Sequence, residues 1–416
     1  MARRILHLMA SNELGGSEKQ LLYHAADMRG AQCAARVPGY EVSIGSFQNQ
    51  SDPNQSDQDQ PETPEILVEA ARRGLPTFSL SGGLGPRSIR ELASLLRQGP
   101  ADLLWTHGSK ANVVGYFAAR EAGIPHVAMV REEGPQDWRG TLLGLPERRV
   151  LRRTRWIACD SPHQAERLTG LRENLPAPVI IRDAILPPFA TEGHHSSVTR
   201  VGLHIPPLAF VFGVVGKLTA EKGHRLLLEA FRRVRDDYRG SRAPHLIVLG
   251  DGREHAALED QARDLGIQVH FAGCQENCAD WMRLFDCMVV PSVAEGSSDS
   301  VLEALCLQIP VIATSAGSHP DLIHDHENGL LVPPDDASSL AAAMNSLLLS
   351  PQLCRRLSEG AADIREEYST ERQRASYLAL YENALADRFR PFLIRPRRSL
   401  VTAFASADRR SDRKAA

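Results

Sequence analysis

Short apolar runs, each closed by a polar turn, alternate along the chain with longer stretches whose apolar positions recur every third or fourth residue. The runs 5–9, 103–106, 126–130, 156–159 and 179–181 predict buried strands, and 17–29, 109–122, 145–153 and 161–169 predict the helices among them. A stretch at 187–200, rich in Pro, Gly, His and Ser, has no period. Beyond it the alternation restarts, with strands at 210–215, 245–249, 269–271, 287–290, 311–313 and 330–332 and helices at 222–235, 253–265, 300–307 and 336–349. Such alternation predicts parallel sheets covered on both faces. The expected fold class is therefore α/β, two Rossmann-like doubly wound domains facing a central cleft, where ligands bind at the carboxyl ends of the strands.

This reading divides the chain into an N-terminal domain over 1–190, a linker over 191–200 and a second domain over 201–370. A helix over 371–390 follows, and a basic flexible tail over 391–416. Tyr377, Leu378, Leu380, Tyr381 and Leu385 fall at helical spacing, which suits packing back across the domains onto the first. Residues 48–64 are polar throughout and cannot offset their ordering entropy, so they predict a mobile surface loop.

Composition narrows the classes. With 48 Lys and Arg against 51 Asp and Glu, a formal charge of −3 and 43% hydrophobic residues, a disordered chain and a strongly basic nucleic-acid binder are excluded. The 7 cysteines are an odd number spread thinly over 416 residues, which fits a reducing cytosol better than a disulfide scaffold. Cys274 and Cys278 stand four apart without a second pair, so no metal is expected. The first apolar run is too short for a signal peptide, and no run approaches the roughly 20 residues that cross a bilayer. The expected location is cytoplasmic, with peripheral contact at an anionic inner membrane face as the alternative to a solvated tail. The tail's 7 Lys and Arg against 2 Asp, and the cluster Arg148, Arg149, Arg152, Arg153 and Arg155, raise that alternative; a solvated helix face is the plainer account of the cluster.

Three segments could carry chemistry. Gly15 and Gly16 stand between the first strand and its helix, where exposed amides and the helix dipole favour an anion. The strand at 210–215 runs into Gly216-Lys217-Leu218, with Lys222-Gly223 close behind. The spacing is not that of a P-loop, yet two lysines at a strand end can neutralise a diphosphate. The third segment runs from Pro291 to Leu305. In it Glu295 sits in the loop leaving a strand, the amides of Ser300 and Val301 open a helix, and Glu303 lies about one turn inside, a carboxylate able to accept from sugar or ribose hydroxyls.

Together these segments resemble the family 4 retaining glycosyltransferases of the GT-B fold, on Gly15-Gly16-Ser17-Glu18, on Gly216-Lys217-Leu218 with Glu221-Lys222-Gly223, and on Glu295 and Glu303 followed by Ile309-Pro310-Val311-Ile312-Ala313. The resemblance spans roughly 4–388 and is clearer in the second half. It implies a nucleoside diphosphate sugar as donor, bound without a metal or other cofactor. Gly15 and Gly16 would meet the diphosphate, Lys217 and Lys222 would offset its charge, and Glu303 would hold the ribose. Glu295, with the backbone of Gly296, Ser297, Ser298 and Asp299, would grip the donor sugar; Ser300 and Val301, whose helix-opening amides can accept a phosphate, complete the donor-binding set. His107, at the end of a first-domain strand, would stand beside that sugar; His107, Glu295 and Lys222 are the residues assigned to catalysis. Leu249-Gly250-Asp251-Gly252 and Phe271-Ala272-Gly273 also match family turns. Ser297-Ser298, Gln308, the segment Gly317-Ser318-His319-Pro320-Asp321 and Arg182-Asp183-Ala184 depart from the family's pattern. The first, second and third are expected to border the sugar pocket.

The implied reaction moves a sugar to the hydroxyl of a glycan or lipid-linked acceptor with retention, in polysaccharide, lipopolysaccharide or glycolipid synthesis. The rivals are a sugar-nucleotide epimerase or hydrolase on the same scaffold and a non-catalytic nucleotide-sugar-binding subunit.

Overall fold

The computed structural model describes residues 2–10, 14–33, 39–48, 63–81, 83, 85–99, 101–131, 138–172, 175–186, 189, 198–293 and 299–387. Two parallel sheets organise them. The first contains β1 (Arg3–Met9), β2 (Tyr40–Phe47), β3 (Thr77–Leu80), β4 (Leu103–His107), β5 (His126–Val130), β6 (Trp156–Cys159) and β7 (Val179–Ile180), in the order β3-β2-β1-β4-β5-β6-β7. The second contains β8 (Phe210–Val215), β9 (Pro244–Leu249), β10 (His270–Gly273), β11 (Cys287–Val290), β12 (Val311–Thr314) and β13 (Gly329–Val332), in the order β10-β9-β8-β11-β12-β13. The doubly wound α/β class expected from the alternation is thus present twice.

In each sheet the strand order reverses beside the first strand, at β1/β4 and at β8/β11. A crevice opens there because successive crossovers leave on opposite faces, and it is where such sheets hold ligands. The segments singled out in the sequence leave these strands: 10–16 after β1, His107 ending β4, 216–223 after β8 and the chain from Pro291 after β11.

The last long helix, Thr370–Ala386, buries Tyr377, Leu380, Tyr381, Ala384 and Leu385 in the first domain's core with Ile5, Trp105 and Met129. The return path is hydrogen-bonded: Ile185 N donates to Tyr368 O (2.8 Å), Ala184 N to Gln20 Oε1 (3.0 Å) and Gln373 Nε2 to Arg182 O (3.1 Å).

β2 and β3 were not anticipated. Glu41, Ser43, Gly45 and Ser46 break up the apolar run of β2, yet most of it is buried between β1 and β3, while β3 is a largely exposed edge. The helices Glu65–Arg72, Pro86–Arg97 and Pro351–Gly360 are also additional. The helix expected from 222 starts at His224, because Ala220–Lys222 forms a 3₁₀ turn ended by Gly223 in the left-handed region. The helix expected at 145–153 runs instead over Trp138–Leu151. Nearly all of the loop expected at 48–64, the linker at 191–197 and the tail at 391–416 lie outside the described residues.

Candidate functional site

The turn leaving β8 is clamped from two sides. Gly216 N donates to Leu249 O (3.0 Å), Leu218 N to Asp251 O (2.9 Å) and Glu254 N to Leu218 O (3.0 Å). A Cβ on Gly250 would fall 1.9 Å from Gly216 O, so the turn after β9 needs glycine for this close approach. On the other side Val293 N donates to Glu221 O (2.8 Å), and a Cβ on Gly223 would fall 2.0 Å from Pro291 O. Lys217 is exposed and Lys222 half-buried, its Cδ 4.0 Å from where a Cβ of Gly216 would stand. Both cations therefore belong to a turn held at the carboxyl edge of the second sheet.

Helix Asp299–Cys306 follows β11 and buries Val301, Leu302, Ala304, Leu305 and Cys306. Its packing fixes Glu303, whose carboxyl is pushed up to about 8 by burial and then by Asp299, against a smaller opposing pull from Lys19. Cys278 is pushed up to about 12 by burial, then Glu303 and Cys274, and so remains a neutral thiol near that carboxyl. Ser300 stands in the first turn of this helix. Glu295, Gly296, Ser297 and Ser298 lie outside the described residues.

Across the cleft, helix Gly16–Cys33 points its N-terminus at this edge. Gly15 N donates to Glu18 Oε2 (3.1 Å), and Leu14 N to Glu65 Oε2 (3.1 Å). A Cβ on Gly16 would fall 1.9 Å from Asp299 Oδ2 of the second domain. A carboxylate thus sits at a helix N-terminus, where the dipole favours negative charge. The two domains also meet around a cavity lined by Asp160, Asp183, Asp299, Ser318, Asp321 and Tyr368.

His107 ends β4, with its backbone carbonyl accepting from Ala10 N (3.0 Å). Its Nε2 lies 2.9 Å from His7 Nδ1, and His7 Nε2 lies 2.7 Å from Tyr381 Oη. Burial first, then Arg131 and His24, hold the His107 ring well below the usual histidine range. A ring neutral at physiological pH serves as a hydrogen-bonding group rather than as a cation. Close by, Arg131 and Asp183 form a bidentate pair at 2.7 and 2.8 Å.

The structure brings Gly15, Gly16, Asp299, Ser300, Val301 and Glu303 to the two faces of one cleft. One expectation is corrected. Gln308 precedes β12, at the opposite end of the strand from the cleft, and lines a cavity of about 500 Å³ with Arg242, Arg283 and Arg355. It borders no part of the cleft because the helix before it ends at Cys306 on the far side of the sheet. Ser318 and Asp321, after β12, do face the interdomain cavity. Sequence reasoning missed Lys19, one turn into the first helix, whose position after Gly15-Gly16 was the available signal. It also missed His7, within an apolar strand, for which there was none.

The family model described as Glycosyl transferases group 1 matches residues 209–350, and that described as Glycosyl transferase 4-like domain matches 16–181. The lipopolysaccharide core biosynthesis glycosyltransferase LpsE of Rhizobium meliloti is 31% identical over 232 residues, 55% of this chain and 64% of that protein. The chain therefore spans just under two thirds of that relative. A D-inositol 3-phosphate glycosyltransferase of Actinosynnema mirum is 28% identical over 346 residues, 76% of this chain and 81% of that protein. Among solved structures, Anabaena Alr3699/HepE in complex with UDP superposes with a TM-score of 0.77 at 19% identity, covering 91% of this chain and all of that one. Sucrose-phosphate synthase from Thermosynechococcus elongatus gives 0.73 at 19% identity, over 92% of this chain and 100% of that one.

Proposed function

Because the chain belongs to the group 1, family 4-type glycosyltransferases of the GT-B fold, we propose that it moves a sugar from a nucleoside diphosphate donor to an acceptor hydroxyl with the anomeric configuration kept. The observation that carries this reading is the pairing across the cleft: an exposed helix N-terminus at Gly16 faces the helix that carries Glu303, beside a turn holding two lysines. That combination suits a ligand with an anionic middle and a hydroxylated end. Complexes of HepE with UDP and with UDP-glucose support the donor class.

In this reading the diphosphate takes the place of the Asp299 carboxylate at the Gly15-Gly16 amides. Lys217 and Lys222 offset its charge, which makes a metal unnecessary. Glu303 as carboxylate accepts from the ribose hydroxyls, Glu295 with the backbone from Gly296 through Asp299 orients the sugar, and the amides near Ser300 and Val301 meet a phosphate. As the glycosidic bond to the diphosphate breaks, negative charge grows on the leaving oxygen and positive charge on the sugar ring. Preorganised lysines and amides lower that barrier. The acceptor approaches from the face the diphosphate leaves, and its proton passes to the departing phosphate oxygen. His107, neutral, hydrogen-bonds the sugar. The acceptor is a glycan or lipid-linked glycan in polysaccharide, lipopolysaccharide or glycolipid synthesis, a class supported by the likeness to LpsE.

Calorimetry in chelator against a panel of nucleoside diphosphate sugars tests the donor assignment. One donor is expected to bind, and Glu303→Ala to weaken it at least tenfold. Lys222→Ala is expected to bind within a few-fold and to lose most turnover. Binding of no panel member, or wild-type affinity and turnover in both variants, overturns the assignment. Product analysis separates transfer from epimerisation or hydrolysis, which would proceed without acceptor.

A further inference from the structure

Behind His107 runs a row of buried polar side chains that the proposed chemistry does not use. His7 is fully buried in β1 and lies between His107 Nε2 (2.9 Å) and Tyr381 Oη (2.7 Å); His24 Nε2 lies 3.0 Å from the same hydroxyl. The rings are held in place by packing. His7 stacks on Trp105 with centroids 5.4 Å apart, and His24 on Tyr377 at 3.8 Å. Burial holds His7 well below the usual histidine range and His24 down at about 3, and it holds Tyr381 well above its ordinary value, so all members are neutral.

Each neutral imidazole carries one N–H and one lone pair, and the phenol carries one proton. If His7 donates to His107, its other nitrogen must accept from Tyr381, whose oxygen then accepts from His24. If His107 donates to His7, every bond reverses. The row therefore admits two proton orders, each running in one direction from end to end. In one, His107 Nδ1 carries a proton; in the other, it carries a lone pair.

We propose that His7 is a positioning residue which, with Tyr381 and His24, locks His107 in one tautomer, so that the C-terminal helix decides whether Nδ1 offers the cleft a donor or an acceptor. That the tautomer matters to transfer rests on the assignment of His107 to the donor sugar; the row itself does not. A sugar hydroxyl can meet either form, but a fixed form selects its orientation, which is a condition for rate rather than for nucleotide binding.

The test is Tyr381→Phe, which removes one oxygen and keeps the ring. Ring ¹⁵N spectra of histidine-labelled protein are expected to show wild-type His107 as one tautomer and the variant as a mixture, although Tyr381 does not touch His107. Turnover is expected to fall about tenfold, with the donor KM within about twofold. His7→Phe should lose more, and His7→Asn, which restores a partner near the Nδ1 position, should recover part of it. Backbone amide spectra matching the wild type establish that the fold is kept. Unchanged His107 ring shifts in Tyr381→Phe overturn the proposal. A changed tautomer in a protein that transfers no sugar would leave the row standing and remove the function assigned to it.

Discussion

Glu303 holds its proton to about pH 8 because the helix that carries it is buried on its other faces and Asp299 adds a like charge, while Lys19 only partly compensates. The folded value lies above the 4.5 of a free glutamate, so between these two pH values the native state binds a proton that the unfolded chain has released. This stability is present in full below about 4.5 and is lost as pH rises through about 8. Glu303→Gln removes the titration. Relative to the wild type, the variant is expected to gain about 4 kcal/mol between pH 5 and pH 9, each pKa unit being worth about 1.4 kcal/mol. Urea unfolding of both proteins at the two pH values measures the difference, and parallel pH dependences would show that Glu303 is ionised in the free protein. Ligand binding should show the complement. If ribose hydroxyls need the carboxylate, nucleotide affinity rises from pH 7 to 9 in the wild type and stays flat in the variant.

At the scale of elements, the turn from Gly216 to Gly223 matters more than either lysine alone. Gly223 has φ +69°, a conformation costly for any residue with a Cβ, and faces the Pro291 carbonyl. Gly223→Ala is expected to destabilise by about 3 kcal/mol, since left-handed strain and a backbone collision act together. It should also move Lys222 and lower turnover more than stability alone explains; thermal melts and single-turnover rates at a temperature where the variant is folded check both. This turn was legible because it follows an unbroken apolar run and is spelled with glycine and lysine. Strand β1 and strands β4 to β13 were legible for the same reason, as short apolar runs between polar turns. Strand β2 was not: Ser43 and Ser46 are buried by neighbouring strands, one through a hydrogen bond to Ile5 O, a tertiary fact that no local pattern expresses. The histidine row was hidden likewise, since His7 meets partners 100 and 374 residues away. Gln308 was misplaced because it was judged by its motif and not by its position: it precedes the strand predicted at 311–313 and so stands at the amino end, away from the carboxyl edge where such sheets hold ligands.

For the whole molecule, the placement of these elements divides the proposed ligand between domains. Glu303 and the two lysines come from the second sheet, whereas the amides at Gly15 and Gly16 come from the first. A nucleoside monophosphate offers the ribose and one phosphate, enough to engage the second domain alone. A nucleoside diphosphate adds the group that reaches the helix N-terminus across the cleft. Anything that binds the native state protects it by mass action, and it protects most the segments it touches. Hydrogen exchange is therefore expected to slow at 216–223 and 299–306 with either nucleotide, and at the first turn of Gly16–Cys33 only with the diphosphate. Because Thr370–Ala386 packs on that same helix and returns to the second domain through Tyr368, protection at the first turn should extend to 370–381 with the diphosphate and be absent with the monophosphate. Equal protection of the first helix by both nucleotides would mean that the β-phosphate does not bridge the domains, and would move the anion site wholly into the second.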